Sequence, residues 1–250
     1  MWMFYPLKCK AIFPLLFTLS LILGCSVRHQ QTQHLPQANI PPIYKPTTNN
    51  YWWRCQFKIT WPEESKINWG MDLLLAHAVV SPILMENYRD ISYWRFHRRA
   101  ARDKAGHQFS FIFYTTPETA ASVYNGIQQS SILQHAVMAN LVEKVIIGDP
   151  KNPQSPHIED TSDPHWSLDI QRNWPSFIMG VSALWLGIID DSIQESPKES
   201  IDITLLLEKY RETDAKITET WRNEGQHAFL HHLSAVFGYN PMFVRKMLTF

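Results

Sequence analysis

The stretch ISYWRFHRRAARDKAGHQFSFIFY, Ile91 to Tyr114, decides the fold. Phe109, Phe111 and Phe113 alternate with Gln108, Ser110, Ile112 and Tyr114, the period of a half-buried strand. Trp94 and Phe96 alternate with Arg95 and His97 in the same way, and aromatic residues suit a pleated surface. Gly106 can supply a positive φ, so a turn is predicted between Ala100 and Gly106. The stretch therefore reads as a β-hairpin at the centre of a sheet. Trp94, Phe96, Phe109, Phe111 and Phe113 face a core; Arg95, His97, Arg99, Gln108 and Ser110 face away from it.

Working outward, Tyr51 to Trp61 alternates as a first strand. Trp53, Cys55, Phe57, Ile59 and Trp61 lie on one side, with Trp52, Arg54, Gln56, Lys58 and Thr60 on the other. Asn68 to Asn87 carries Met71, Leu74, Leu75, Ala78 and Val79 at helical spacing, and Pro82 kinks that helix or ends its regular part. After the hairpin, Thr116-Pro117-Glu118 has the form of a helix start, with Thr as N-cap. A helix to Gln128, a short one from Ile132 to Asn140 and a strand from Leu141 to Ile147 follow. The order strand, helix, strand, strand, helix, strand is the ferredoxin-like βαββαβ pattern, an α+β fold with an antiparallel sheet and helices on one face. A helical Leu141–Ile147 would leave a different mixed α+β arrangement.

The expected domains are thus a ferredoxin-like unit over 51–148 and a connection with a helical subdomain over 149–250. Gly148 to His165 is a long polar connection. A short helix is expected from Trp166 to Asn173, and Pro175 opens an apolar one of about fifteen residues, too short for a membrane span. Ser196 to Ser200 reads as a linker. Ile203, Leu207, Tyr210, Ile217 and Trp221 mark a long amphipathic helix that Gly225 breaks or bends. Gln226 to Phe237 continues helical, Gly238 stands past its end, and Asn240-Pro241 starts a last helix.

The N-terminus reads as outside the fold. Lys8 and Lys10 precede an apolar run from Ala11 to Leu23, the form of a signal-peptide core over residues 1–24. Leu21-Ile22-Leu23-Gly24-Cys25 resembles the bacterial lipobox, and the resemblance implies cleavage before Cys25 and lipidation of that cysteine. Ser26 follows where an Asp would resemble an inner-membrane retention signal, so the outer membrane is favoured. The implied location is the periplasmic side of the cell envelope, with the membrane as a partner through the lipid. Residues 25–50 are polar and proline-bearing and read as a disordered tether of about 25–30 Å average reach. Only Cys55 then remains as a thiol, which excludes an internal disulfide.

Ten Trp and thirteen Phe supply ample core, and 23 basic residues balance 23 acidic ones. That balance gives no basic footprint for nucleic acid. The chain contains no Walker loop, G-x-S-x-G, H-E-x-x-H or paired-cysteine motif, so no cofactor is expected. Three constellations stand out. Arg54, Lys58, Arg95, His97 and Arg99 on the outward sheet face could hold a carboxylate or phosphate, or simply be solvated or covered. Glu224, His227 and His231 have a metal-type spacing, but Gly225 falls among them and no second E-x-x-H exists, so no metal is expected. Glu159, Asp160, Asp163 and His165 could serve acid–base work or cap turns. A further expectation is that the connection crosses the sheet's edge or outer face, with one of its carboxylates pairing Arg95 or Arg99.

Trp94-Arg95-Phe96-His97-Arg98-Arg99, leading to His107-Gln108-Phe109-Ser110-Phe111, resembles the hairpin of the C-terminal domain of lanthipeptide dehydratases and thiopeptide-type bacteriocin biosynthesis proteins. Leu230 to Gly238 is similar to that family's His-bearing helix, with Ser234-Ala235 where the family has Asn-Arg. The resemblance implies a lyase that eliminates glutamate from glutamylated Ser or Thr, with Arg98 and His231 in its site. The residues themselves favour a different class: a non-catalytic envelope module binding a peptide or cell-envelope component through Arg54, Arg95, His97 and Arg99.

Overall fold

The computed structural model describes residues 49–193 and 202–241. The expected signal segment, nearly all of the tether, the Ser196–Ser200 linker and the helix after Pro241 lie outside the described residues.

The alternating segments form four strands, β1 (Tyr51–Ile59), β2 (Tyr93–Ala100), β3 (His107–Thr115) and β4 (Val142–Ile147). They make one antiparallel sheet in the order β2-β3-β1-β4. The fold is α+β. The hairpin register sets Trp94 opposite Phe113, Phe96 opposite Phe111 and Arg98 opposite Phe109. Its turn is held by Asp103, whose Oδ1 accepts the N–H groups of Ala105 and Gly106 at 2.9 and 3.1 Å, with Gly106 at φ +65°.

The inner face of the sheet supplies the core. Cys55, Phe57, Phe109, Phe111 and Phe113 are fully buried, and the rings of Phe111 and Phe113 stack at 4.8 Å. At about 25 cal/mol per Å2 of apolar area, each such ring contributes roughly 2–3 kcal/mol against exposure. Over this face runs one long helix in three consecutive pieces, α1 (Trp69–Leu74), a π-helical Leu75–Val80 and α2 (Ser81–Glu86). The chain passes Pro82 without ending because the turn before it widens to a π-helix, which relaxes the clash between proline and the preceding turn. Next come α3 (Pro117–Gln129), capped by Thr116 accepting from Thr119 N–H at 3.3 Å, and α4 (Ser131–Met138), capped by Ser130.

Two longer helices complete the body, α5 (Leu168–Ser192) and α6 (Ile203–Gly225). Here the structure corrects the two helices expected either side of Pro175: α5 is continuous and Pro175 lies inside it. A proline at 175 deprives the Gln171 carbonyl of its helical partner. That carbonyl instead accepts the Ser162 hydroxyl at 2.8 Å. Gly225 does not break α6 either; the helix runs on through a π-helical Gln226–His231 into α7 (His232–Val236).

α5 covers the β2 edge of the sheet. An edge strand exposes unpaired N–H groups, and here the Phe96 N–H donates to Ser182 Oγ of α5 at 3.1 Å. Trp185 of α5 lies edge-on to Phe96 at 5.6 Å. α6 packs on α1, where a Cβ on Gly70 would stand 2.8 Å from the backbone of Arg211; only glycine permits that approach.

Candidate functional site

On the outer face, strand register lines the side chains up in rows. Trp52, Tyr114 and Tyr93 form one row; Arg54, Ile112 and Arg95 the next; then Gln56, Ser110 and His97; then Lys58, Gln108 and Arg99. The connection crosses the first row. Trp52 Nε1 donates to the carbonyls of His157 and Ile158 at 3.0 and 3.1 Å, and the Tyr114 hydroxyl donates to Pro156 O at 2.7 Å.

The expected pairing of Arg95 or Arg99 with a carboxylate of that connection is not formed. Arg95 reaches only a carbonyl, donating from Nη2 to Thr161 O at 3.4 Å. Asp160 accepts the His157 N–H at 2.8 Å, Asp163 accepts the His165 N–H at 2.8 Å, and Glu159 lies 3.9 Å from Arg172. Short Asp and Glu side chains in a turn satisfy their own backbone before they reach across a sheet. The same geometry makes Asp160 and Asp163 turn formers, while Glu159 lies toward Arg172.

Of the basic groups on the outer face, Arg99 is paired with Asp103 and Lys58 with Glu143. Arg54, Arg95 and His97 have no carboxylate within ion-pair reach among the described residues. Nε of Arg95 is out of solvent with no hydrogen-bond partner there. Desolvation and then Arg54 push the Arg95 guanidinium below its ordinary pKa. Desolvation first, then Arg95, Arg99 and Arg54, push His97 down as well. The four expected binding residues thus share one face and feel one another's charge. Beside Arg54 opens a cleft of about 290 Å3 between β1, β4 and the start of the connection, with Tyr124, Ile146, Asn152 and Ser155 in its walls. Arg54 and Arg95, with no carboxylate partner among the described residues, can take an anion, and Arg can do so with two parallel hydrogen bonds.

A second polar cluster lies on the inner face, where sequence reasoning expected only core. Asp72 of α1 is fully buried, 3.1 Å from Nε2 of His107 and 3.2 Å from Nε of Arg98. Arg98 also reaches Asp214 of α6 at 3.3 Å, and its guanidinium lies over the rings of Trp69 and Trp185 at 4.8 and 5.0 Å. Burial pushes the Asp214 carboxyl up, against the opposing pull of Arg98. Five elements meet at this cluster, α1, β2, β3, α5 and α6, and it acts as a structural clamp.

Arg98 is therefore engaged inside the clamp. His231 is exposed and lies 17 residues beyond Asp214 on the same continuous helical run, about 25 Å along the axis at 1.5 Å per residue. The structure does not bring these two together. Cys55 is buried and its thiol is pushed up to about 12 by burial, as a core cysteine. Comparison with family models, with curated proteins and with solved structures found no match.

Proposed function

We propose that this chain is a lipid-anchored envelope protein whose folded part is a non-catalytic binding module for an anionic peptide or cell-envelope component, held by Arg54, Arg95 and His97 with Arg99 beside them. One observation carries the reading: on a face where Lys58 and Arg99 each have a carboxylate partner, three neighbouring basic groups have none among the described residues. An internal role would have neutralised them, whereas an anionic ligand would complete them. The adjoining cleft suits a side chain or head group of small size. The strand order β4-β1-β3-β2 and the helices between β1 and β2 and between β3 and β4 support a ferredoxin-like topology, extended by a C-terminal helical subdomain. The connection covers the first row of the sheet's second face, while Arg54 and His97 on that face stay exposed.

Anchoring rests on the sequence around Cys25, with Ser26 favouring the outer membrane. Palmitate labelling that marks the wild type and spares Cys25→Ala is the expected result; equal labelling of both contradicts it. For binding, the full chain and its Arg54→Glu/Arg95→Glu variant are used to capture components of a solubilised envelope extract. An acidic peptide or anionic envelope component retained by the wild type and lost by the variant is expected. Identical captured sets would remove the reading.

A further inference from the structure

We propose that the C-terminal helical arm docks on an anionic phospholipid surface, laying Trp221, Phe229, Leu230, Leu233, Val236 and Phe237 into the boundary between head groups and acyl chains. The inference deepens the envelope anchoring proposed above. α6 is fixed to the body through its first half, where Leu206, Leu207, Tyr210 and Thr213 are buried. From Trp221 to Pro241, only Gly225 is buried. Val236 is 82 %, Phe237 67 % and Trp221 57 % exposed. Apolar side chains scattered singly over a surface are ordinary, but a row of them along one helix marks an interaction surface.

The row is built by the helix itself. A Cβ on Gly225 would stand 2.9 Å from a ring carbon of Trp221, so glycine lets that indole lie along the helix. There it stacks on Phe229, with ring centroids 5.7 Å apart and planes 15° from parallel. Trp221, Gly225, Phe229, Leu233 and Phe237 are spaced four apart, and in a regular helix of 3.6 residues per turn they would drift round the axis. The π-helical Gln226–His231 is wider and offsets part of that drift. His227 and His231, two positions past Gly225 and Phe229, fall on the opposite side of the helix and leave the row apolar. Two features name the occupant. From Trp221 onward the sequence carries Arg222, Arg245 and Lys246 against Glu224 alone, with three histidines besides. An apolar helix face beside basic residues suits the interface of an anionic bilayer, whereas pairing with the arm of a second copy would bring like charges together. The tether of residues 25–50, with its average reach of about 25–30 Å, also keeps the folded part close to the membrane that holds Cys25.

The test places an environment-sensitive fluorophore on Leu233→Cys or on His231→Cys in the full chain, in a Cys9→Ser/Cys25→Ser background. The protein is mixed with vesicles of phosphatidylglycerol and phosphatidylethanolamine that carry a nitroxide quencher on their acyl chains. Quenching at 233 is expected to exceed that at 231 by about threefold or more, because an interfacial helix buries only its apolar face. It should fall to background in Val236→Glu/Phe237→Glu, whose native side chains are exposed and carry no part of the core, and in vesicles of phosphatidylcholine alone. Arg54→Gln/Arg95→Gln should leave it unchanged. Equal quenching at the two positions, none at 233, or quenching indifferent to the glutamate pair or to lipid charge would overturn the proposal. So would loss in Arg54→Gln/Arg95→Gln, or a dimer in sedimentation that the glutamate pair dissolves, which would give the face to a second copy. The readout does not depend on lipidation of Cys25, so its failure is distinguishable from a failure of the anchoring, which palmitate labelling reads.

Discussion

The carboxylate of Asp72 and the imidazole of His107 meet at 3.1 Å, and neither side chain is exposed to solvent. Arg98 closes the same carboxylate from the other side. Removing one partner from such a buried group leaves uncompensated charge, which costs about 3–5 kcal/mol. Asp72→Ala is therefore expected to lower the urea midpoint strongly. Asp214→Asn is expected to change stability by less than about 1 kcal/mol, since Asp214 keeps some solvent exposure and the amide oxygen can still accept from Arg98. Equal losses in the two variants would show that the clamp is not centred on Asp72.

That clamp was legible in part. His107 has the same parity as Phe109, and Arg98 the same parity as Trp94 and Phe96, so alternation alone places both on the inner face. Asp72 sits inside the apolar run from Met71 to Val80. None of these three is assigned to a face in the sequence reading; charged side chains are rarely buried unless paired, and this pairing is long-range. The outer-face grouping of Arg54, Arg95, His97 and Arg99 followed from parity and held. That no carboxylate of the connection pairs with Arg95 or Arg99 did not follow, since turn geometry around Asp160 and Asp163 decides it. Continuity of α5 through Pro175 depends on Ser162, a loop residue whose partner local pattern cannot reveal. The π-helical turn near His231 is likewise a change of register that spacing rules assume away.

Ser182 and Ser162 should each matter through one hydrogen bond. Ser182→Ala leaves the Phe96 N–H of an edge strand without its acceptor, and Ser162→Ala leaves the Gln171 carbonyl without its donor. A loss of about 1–3 kcal/mol is expected for Ser182→Ala, whose bond is buried, and a smaller one, about 0.5–1.5 kcal/mol, for the part-buried Ser162 contact, read from thermal or urea unfolding. Wild-type stability in both would mean that water replaces these contacts at no cost.

Cys55 should be chemically silent in the folded protein. Its thiol is buried and pushed up to about 12, so thiolate is scarce at pH 8. In a Cys9→Ser/Cys25→Ser background a maleimide should label it only as the chain unfolds, at the unfolding rate. Rapid labelling of native protein would contradict its place in the core.

His97 makes the outer face pH-sensitive, with a definite sign. Its pKa is lowered in the folded protein by desolvation and then by the neighbouring arginines. Its contribution to stability is therefore whole above the ordinary histidine value, about 6.5, and is lost as pH falls below it. A bound anion reverses the cause, raising the pKa and drawing a proton onto the ring. Acidification should thus destabilise the free protein while tightening its hold on an anion, and His97→Gln should remove the pH dependence of binding. Binding that weakens with acidification would contradict the placement of His97 in the site.

The most direct measurement is calorimetric titration of a glutamate-rich peptide, with pyrophosphate as a second probe, into the full chain at low salt. Saturable binding is expected for at least one probe. Each charge-assisted hydrogen bond lost should cost about 1.5–3 kcal/mol, so Arg54→Gln/Arg95→Gln should weaken it by about tenfold or more, while Lys58→Gln, whose native side chain is already paired with Glu143, should leave it nearly unchanged. No saturable binding of either probe, or equal affinity in the wild type and the Arg54→Gln/Arg95→Gln variant, would contradict the assignment of this face as the binding site.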